Sequence, residues 1–347
     1  MPSMRAAVLA NWDGDLVIED VPVPEPGPGE VRVSVGACGV TRTIENAIQG
    51  GLDDDPSLLP RIPGHEFAGV VEAVGDGVAT VDPGDRILAY FYLTCGQCDA
   101  CRRGQDNQCT EFEGWYGVQA DGAYAEQAVL PASNALPLPD GCSFAEGAVA
   151  SDGVATPIHV CDRAGVSDDD TVLVIGGAGR IGYHLSQVAG LRGAQVLAAD
   201  VTDDRLEHVD SLGPHVTAVD ARRDDFTAAL EEATLHGTGP TVVVDTVGDL
   251  ETLRAAWDAL AMGGRIVSLT THHERQFDPP MWEYVANEAA FLGSRYATKD
   301  EVVRAAQLVA HGRVTADIGE RLRLDDVADY HARLRAGETA GMAVLEP

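Results

Sequence analysis

The spacing of apolar residues changes character about halfway along this chain. In the first half it alternates in short runs. Met4 to Val21 predicts a hairpin turning at Trp12-Asp13-Gly14. Val31, Val33 and Val35 alternate with polar neighbours in Glu30 to Val35, as a half-buried strand requires. Pro22 to Gly29 is rich in Pro and Gly and predicts a crossing, neither helix nor central strand. Phe67 to Val74 and Arg86 to Tyr92 predict further strands, set apart by Gly75, Gly77 and Pro83-Gly84. Roughly the first 150 residues therefore read as β-rich.

From Val154 onward the runs lengthen. Val154 to Ala164 predicts a helix with Pro157 near its start. Thr171 to Ile175 is a continuous apolar strand, Ile181 to Leu191 a helix, and Gln195 to Ala199 a second buried strand. Leu206 to Leu212, Phe226 to Leu235 and Leu250 to Leu260 predict helices; Thr241 to Asp245 and Arg265 to Leu269 predict strands. Such alternation predicts an α/β unit, a parallel sheet wrapped by helices. The tail from Ser294 adds helices at Asp300 to His311 and Asp325 to Ala336, then a short strand at Met342 to Leu345.

Length and charge narrow the function. At 347 residues the chain is too long for one ordinary core and predicts two domains. Its net charge of −31 disfavours nucleic-acid and anionic-membrane partners. No stretch approaches the roughly twenty unbroken apolar residues of a membrane span. The apolar run Ala6 to Ala10 is too short for a secretory signal, so a cytoplasmic location is expected. Acidity is spread through Asp53-Asp54-Asp55, Asp168-Asp169-Asp170, Asp203-Asp204 and Glu231-Glu232, and Lys299 is the only lysine. This balance resembles cytosolic proteins of salt-loving archaea, in which molar salt shortens the Debye length to roughly 3 Å. An acidic mesophilic enzyme is the alternative.

Two motifs carry chemistry without help from any relative. Cys95, Cys98, Cys101 and Cys109 are spaced C-x2-C-x2-C-x7-C. In a reducing compartment that density predicts zinc instead of disulfides. Four thiolates leave no open position, so the zinc is expected to be structural. The second motif is Gly177-Ala178-Gly179-Arg180-Ile181-Gly182, between a predicted strand and a predicted helix. In that setting Gly177 is expected to make the tight turn, Gly179 to admit a pyrophosphate, and Gly182 to let the helix lie close to the strand. The helix N-terminus then faces the phosphates. Asp200, ending the next strand, can accept both ribose hydroxyls, which favours NAD. Arg205 is within reach of the same ribose, so NADP is not excluded.

A further run, Pro63-Gly64-His65-Glu66-Phe67-Ala68-Gly69-Val70-Val71, continues to Val74-Gly75, Gly77-Val78 and Gly84-Asp85-Arg86. It resembles the zinc alcohol dehydrogenase signature of the medium-chain dehydrogenase/reductase family. The four cysteines match that family's structural-zinc lobe, and the similarity covers essentially the whole chain. The resemblance implies a GroES-like, partly open β-barrel catalytic domain at 1–155 and 294–347, with the lobe at 95–109. A six-stranded Rossmann domain at 156–293 would be inserted in it, and the active site would lie in the cleft.

The resemblance also assigns residues. His65, with Glu66 beside it, and Asp152 fall where the family holds a catalytic zinc, whereas Thr41 stands where the family has a Cys ligand. Three arrangements compete: zinc on His65, Asp152 and Glu66; Cys38 recruited as a substitute; or no zinc at this site. The first is favoured, because a buried His beside two carboxylates needs a partner. Thr43 matches the residue that takes the substrate proton, Arg42 a pyrophosphate contact and Thr156 a nicotinamide contact. Asn46 stands where family relays continue to a His. His159, His184, Cys142 and Cys161 read as structural.

The expected activity is hydride transfer between an alcohol (primary, secondary, polyol or sugar) and NAD. The rivals are a zinc-free reductase of activated double bonds or quinones, and a non-catalytic NAD-binding regulator. Relatives imply a homo-oligomer, a dimer or tetramer.

Overall fold

A computed structural model describes residues 2–234, 237–270, 274–339 and 341–347. The chain forms two compact units, Met1–Ala155 with Ala297–Pro347, and Thr156–Tyr296.

The first unit is built on the strand Glu30–Val40. One edge pairs antiparallel with Phe67–Val74. The other edge is shared by two strands. Gln127–Pro131 takes the first half and Met342–Leu345 the last three residues. Arg86–Ala89 and Ala135–Pro137 extend the sheet on one side, and Ile318–Leu322 runs parallel to Met342–Leu345 on the other. The predicted hairpin is present, Ser3–Leu9 against Leu16–Pro22.

The central strand runs five residues past its expected end at Val35. From Ala37 to Val40 every residue is buried, so the alternation that marks a half-buried strand disappears. The helix Phe144–Val149 covers the second face there. Ala145, Ala148 and Val149 pack on Ala37, Met342 and Val344, and a Cβ on Gly36 would lie 2.3 Å from the Phe144 ring. Its start is set by a capping box between Ser143 and Glu146. A π-helical turn, Ala150–Val154, follows it.

The predicted strand Arg86 to Tyr92 is broken into Arg86–Ala89 and Tyr92–Leu93. Asn134 breaks it: its carbonyl accepts from Tyr90 N–H at 2.9 Å, and its Nδ2 donates to the carbonyls of Tyr90 and Tyr92 at 2.7 and 2.8 Å. A side-chain amide replaces the ladder.

In the second unit six parallel strands lie in the order Val216–Asp220, Gln195–Asp200, Thr171–Ile175, Val242–Asp245, Arg265–Ser268, Ala290–Gly293. The inner strands are apolar and buried between their polar ends, as a sheet covered on both faces demands. On one side Leu173, Leu197, Val243 and Ile266 pack against Phe226, Leu230, Leu253 and Trp257. The helix expected at Phe226 to Leu235 is Phe226–Glu232, and Leu235 lies outside the described residues. The helix expected at Leu206 to Leu212 is Asp203–Asp210. It begins earlier because Asp203 and Asp204 suit the positive end of a helix.

Candidate metal centres and dinucleotide site

The four cysteines converge. Cys95 and Cys98 flank the Gly96 turn, Cys98 caps the short helix Asp99–Arg102, and Cys109 ends the 3-10 turn Asp106–Gln108. Cys109 Sγ lies 3.5 Å from Cys95 Sγ and 3.9 Å from Cys98 Sγ. A disulfide needs about 2.05 Å. Sulfurs bound to one zinc at about 2.3 Å in a tetrahedron stand about 3.8 Å apart. Backbone N–H groups of Cys98 and Cys95 point at the Cys95 and Cys109 sulfurs at 3.3 and 3.4 Å. N–H donors at Cys101 and Thr110 bring the Cys98 thiol down to about 5. Burial and the neighbouring sulfurs push Cys101 up to about 12. One sulfur is primed as thiolate and another resists ionising beside it. The donor set fits a soft divalent cation.

The second cluster lies in the first unit. Gly64, His65 and Glu66 lead into Phe67–Val74, and Asp152 comes from the π-helical turn. The turn before His65 requires glycine: φ at Gly64 is 97°, and a Cβ there would lie 2.5 Å from the Tyr124 ring. His65 is 2% exposed and Glu66 fully buried. His65 Nε2 lies 3.3 Å from Glu66 Oε1 and 3.8 Å from Asp152 Oδ2, yet among the described residues it makes no well-directed hydrogen bond. Phe91 packs edge-on against the imidazole, 4.4 Å between centroids. Burial pulls the imidazolium pKa down, Asp152 and Glu66 pull it up, and the net direction is up. Ligand atoms of these three residues all lie within 4.8 Å of one another. A neutral imidazole with two carboxylates carries −2, and a divalent cation fits that charge and that orphaned nitrogen.

Thr41 does something else. It is the N-cap of the helix Arg42–Ile48, and its Oγ1 accepts from Ile44 N–H at 3.1 Å. Its hydroxyl oxygen is engaged by the helix. Cys38 is fully buried, and burial together with Glu66 pushes its thiol up. It is not part of the converging set. The recruitment of Cys38 therefore finds no support in the structure.

Thr43 and Arg42 occupy the first turn of that helix, Thr43 half-buried and Arg42 exposed with its guanidinium donating to Leu334 O at 3.0 Å. The sequence reading missed what holds this helix. Glu45, 3% exposed, accepts from His331 Nδ1 and Arg335 Nε, both at 2.8 Å. His331 Nε2 in turn faces Tyr124 Oη at 3.1 Å. The available signal was a lone carboxylate in the apolar stretch Ile44 to Ile48.

In the second unit the glycine-rich loop joins Thr171–Ile175 to the helix Arg180–Leu191, whose N-cap is Gly179. The left-handed turn falls on Gly176 (φ 78°), one residue before the expected Gly177. Gly177 is required for packing instead, since a Cβ there would lie 2.7 Å from Ala198 Cβ. At Gly182 a Cβ would lie 2.1 Å from Gly176 O, so helix and loop touch backbone to backbone. Its N-cap, Gly179, has no side chain to offer the first turn, and a helix N-terminus of this kind is suited to meet an anion. Asp200 ends its strand beside the loop. It accepts from Ala178 N–H at 3.2 Å and Val201 N–H at 2.8 Å, and Arg205 lies 3.8 Å from its Oδ1. Thr156 and His159 are both buried in the helix Ala155–Ala164.

Comparison with known proteins identifies the family. Residues 27–140 match the alcohol dehydrogenase GroES-like domain, and 181–311 match the zinc-binding dehydrogenase domain. The chain is 32% identical over 344 residues, 99% of both chains, to an alcohol dehydrogenase of Geobacillus stearothermophilus. It is 27% identical over 353 residues, 99% of both, to an acryloyl-coenzyme A reductase of Metallosphaera sedula. The crystal structure of an NAD-dependent alcohol dehydrogenase superimposes with a TM-score of 0.90 at 32% identity, covering 99% of this chain and 100% of the other. The chain belongs to the medium-chain, zinc-binding alcohol dehydrogenase family and is an oxidoreductase.

Proposed function

We propose that this enzyme transfers hydride between an alcohol and NAD, with one zinc on His65, Glu66 and Asp152 and another on the four thiolates. The observation that carries the reading is His65 Nε2, buried, making no well-directed hydrogen bond among the described residues, and facing two carboxylates. Bound at the first set, zinc supplies a Lewis acid that lowers the proton affinity of the substrate oxygen. Thr43 accepts the hydroxyl proton, being donor and acceptor at once. Glu45 and His331 hold the helix that carries Thr43. Gly179, Gly182 and the first turn of Arg180–Leu191 receive the pyrophosphate, Arg42 and Thr156 contribute further cofactor contacts, and Asp200 accepts the adenosine ribose hydroxyls, which supports NAD over NADP.

His65→Ala tests this. Turnover with a panel of alcohols, polyols and sugars should be lost while NADH binding persists; retained turnover refutes the metal role.

A second reading is a zinc-free reductase of activated double bonds. Thr41 favours it by capping a helix where the family places a ligand, and the acryloyl-coenzyme A reductase relative points the same way. Two zincs per chain support the dehydrogenase, and one supports the reductase. A non-catalytic regulator would bind NADH and reduce nothing in either panel.

The setting follows from composition. Four clustered cysteines at zinc-ligand spacing suit a reducing cytoplasm, and a charge of −31 with a single lysine suits molar salt. No helix among the described residues is long and apolar enough to cross a membrane. A second copy of the chain is the proposed partner. Met281, Trp282 and Val285 are 86, 67 and 80% exposed beside the edge strand Ala290–Gly293, an apolar patch with an unpaired ladder.

A further inference from the structure

The backbone does not ask for glycine at position 39. Gly39 lies in the strand Glu30–Val40, and its φ is outside the left-handed region. It pairs with Val344 on one edge. On the other, the pairing of Cys38 with Phe67 puts Gly39 opposite Glu66, whose carbonyl accepts from Gly39 N–H at 2.7 Å. Glycine inside a strand weakens it, and often marks a place where another group comes close.

The group that comes close is one side chain. A Cβ at position 39 would lie 2.5 Å from Glu66 Oε2, 3.2 Å from Glu66 Cβ and 3.4 Å from Glu66 Cδ, and these are the atoms nearest to it. Gly69, in the neighbouring strand, differs: a Cβ there would meet the backbone oxygen of Ser34 at 2.0 Å. Gly69 serves the sheet, whereas Gly39 makes room for Glu66. That carboxylate is fully buried. One of its oxygens rests over Gly39, and the other, Oε1, lies 3.3 Å from His65 Nε2. A methyl group at position 39 would turn the carboxylate, and the oxygen facing the imidazole would move with it.

We infer that Gly39 is a positioning residue of the His65, Glu66 and Asp152 centre, its missing side chain forming the slot that aims Glu66 at a bound cation. This rests on the metal reading of that centre. With Thr41 Oγ1 engaged in the helix cap, the converging set among the described residues has three members and none to spare. The alternative is that Gly39 serves the sheet, as Gly69 does. The two differ in whether the cost of a side chain at position 39 depends on Glu66.

The test is a double-mutant cycle on the full-length protein, with Gly39→Ala and Glu66→Ala made singly and together. Zinc affinity is read by chelator competition, and melting temperature by circular dichroism after all four proteins are stripped with EDTA. Gly39→Ala should keep the thiolate zinc, bind the second about 10–100-fold more weakly, and melt below wild type. Once Glu66 is truncated the added methyl has room, so the double variant should melt at or above Glu66→Ala alone. Should Gly39→Ala fail to fold, the double variant should still fold. Second-site affinity within twofold of wild type in Gly39→Ala overturns the inference. So does an equal fall in melting temperature with and without Glu66, or a double variant that folds no better than Gly39→Ala. A wild-type chain that takes up a single zinc overturns the metal reading instead, and the melting cycle then decides whether Glu66 fills the slot.

Discussion

Replacing Thr41 with alanine separates its two possible occupations, ligand and cap. Thr41 is 1% exposed, and its Oγ1 accepts from Ile44 N–H at 3.1 Å at the start of a seven-residue helix. Losing an N-cap side chain costs about 1 kcal/mol. Leaving the Ile44 amide buried and unpaired raises the cost toward about 2 kcal/mol. For a cooperative unit of about 200 residues, each kcal/mol lowers the melting temperature by about 2–4 °C. Thr41→Ala should therefore melt about 4–8 °C lower than the parent, while zinc content stays at two per chain. Thr41→Ser keeps the acceptor and should recover most of the loss. Circular dichroism melts and elemental analysis of the same preparations decide the matter. Loss of one zinc from Thr41→Ala, at an unchanged melting temperature, would refute the assignment of this hydroxyl to the helix.

Three other outcomes follow from the same geometry. Gly182→Ala forces a Cβ to within 2.1 Å of Gly176 O; the loop must move, and NADH affinity by fluorescence titration should fall by about tenfold or more. Burial pushes the Asp170 carboxyl up, but Arg265, Thr241 and Ser167 outweigh it and hold the group below its ordinary 3.8. A carboxylate depressed on folding stabilises above its unfolded pKa and ceases to as pH falls through the folded value. The melting temperature should thus decline below about pH 4, and Asp170→Asn should flatten that decline, lowering the melting temperature more at pH 7 than in acid. Trp282→Glu places a charge in the patch formed with Met281 and Val285, and light scattering should show a smaller assembly; an unchanged mass would remove this surface from the interface.

What could be read from sequence follows how each segment is covered. Thr171–Ile175 and Met342–Leu345 were legible because continuous burial writes a continuous apolar run. Val216–Asp220 and Ala290–Gly293 sit at the sheet edges and are incompletely buried; Thr217 interrupts the first, and the second offers only Ala290, Phe291 and Leu292 before Gly293, too short a run to mark a strand. The helix Phe144–Val149 was hidden by its small residues, chosen for close approach to the central strand. At the site, the thiolate spacing and the Gly64-His65-Glu66 run were legible as local motifs. The left-handed residue of the nucleotide loop was misplaced by one, because a run of Gly176-Gly177 does not say which member turns and which packs. The Glu45–His331 pair was invisible for another reason: its partner is fixed by the fold, 286 residues away. The Thr41 cap is local, to the amide three residues on, and was passed over because the position was read as a ligand site.

The most direct examination of the central claim is anomalous X-ray scattering at the zinc edge from crystals of freshly purified protein. The account predicts two peaks per chain, one among the four sulfurs and one touching His65 Nε2, Glu66 and Asp152. A single peak, confined to the cysteines, would contradict it and leave the reductase reading in its place.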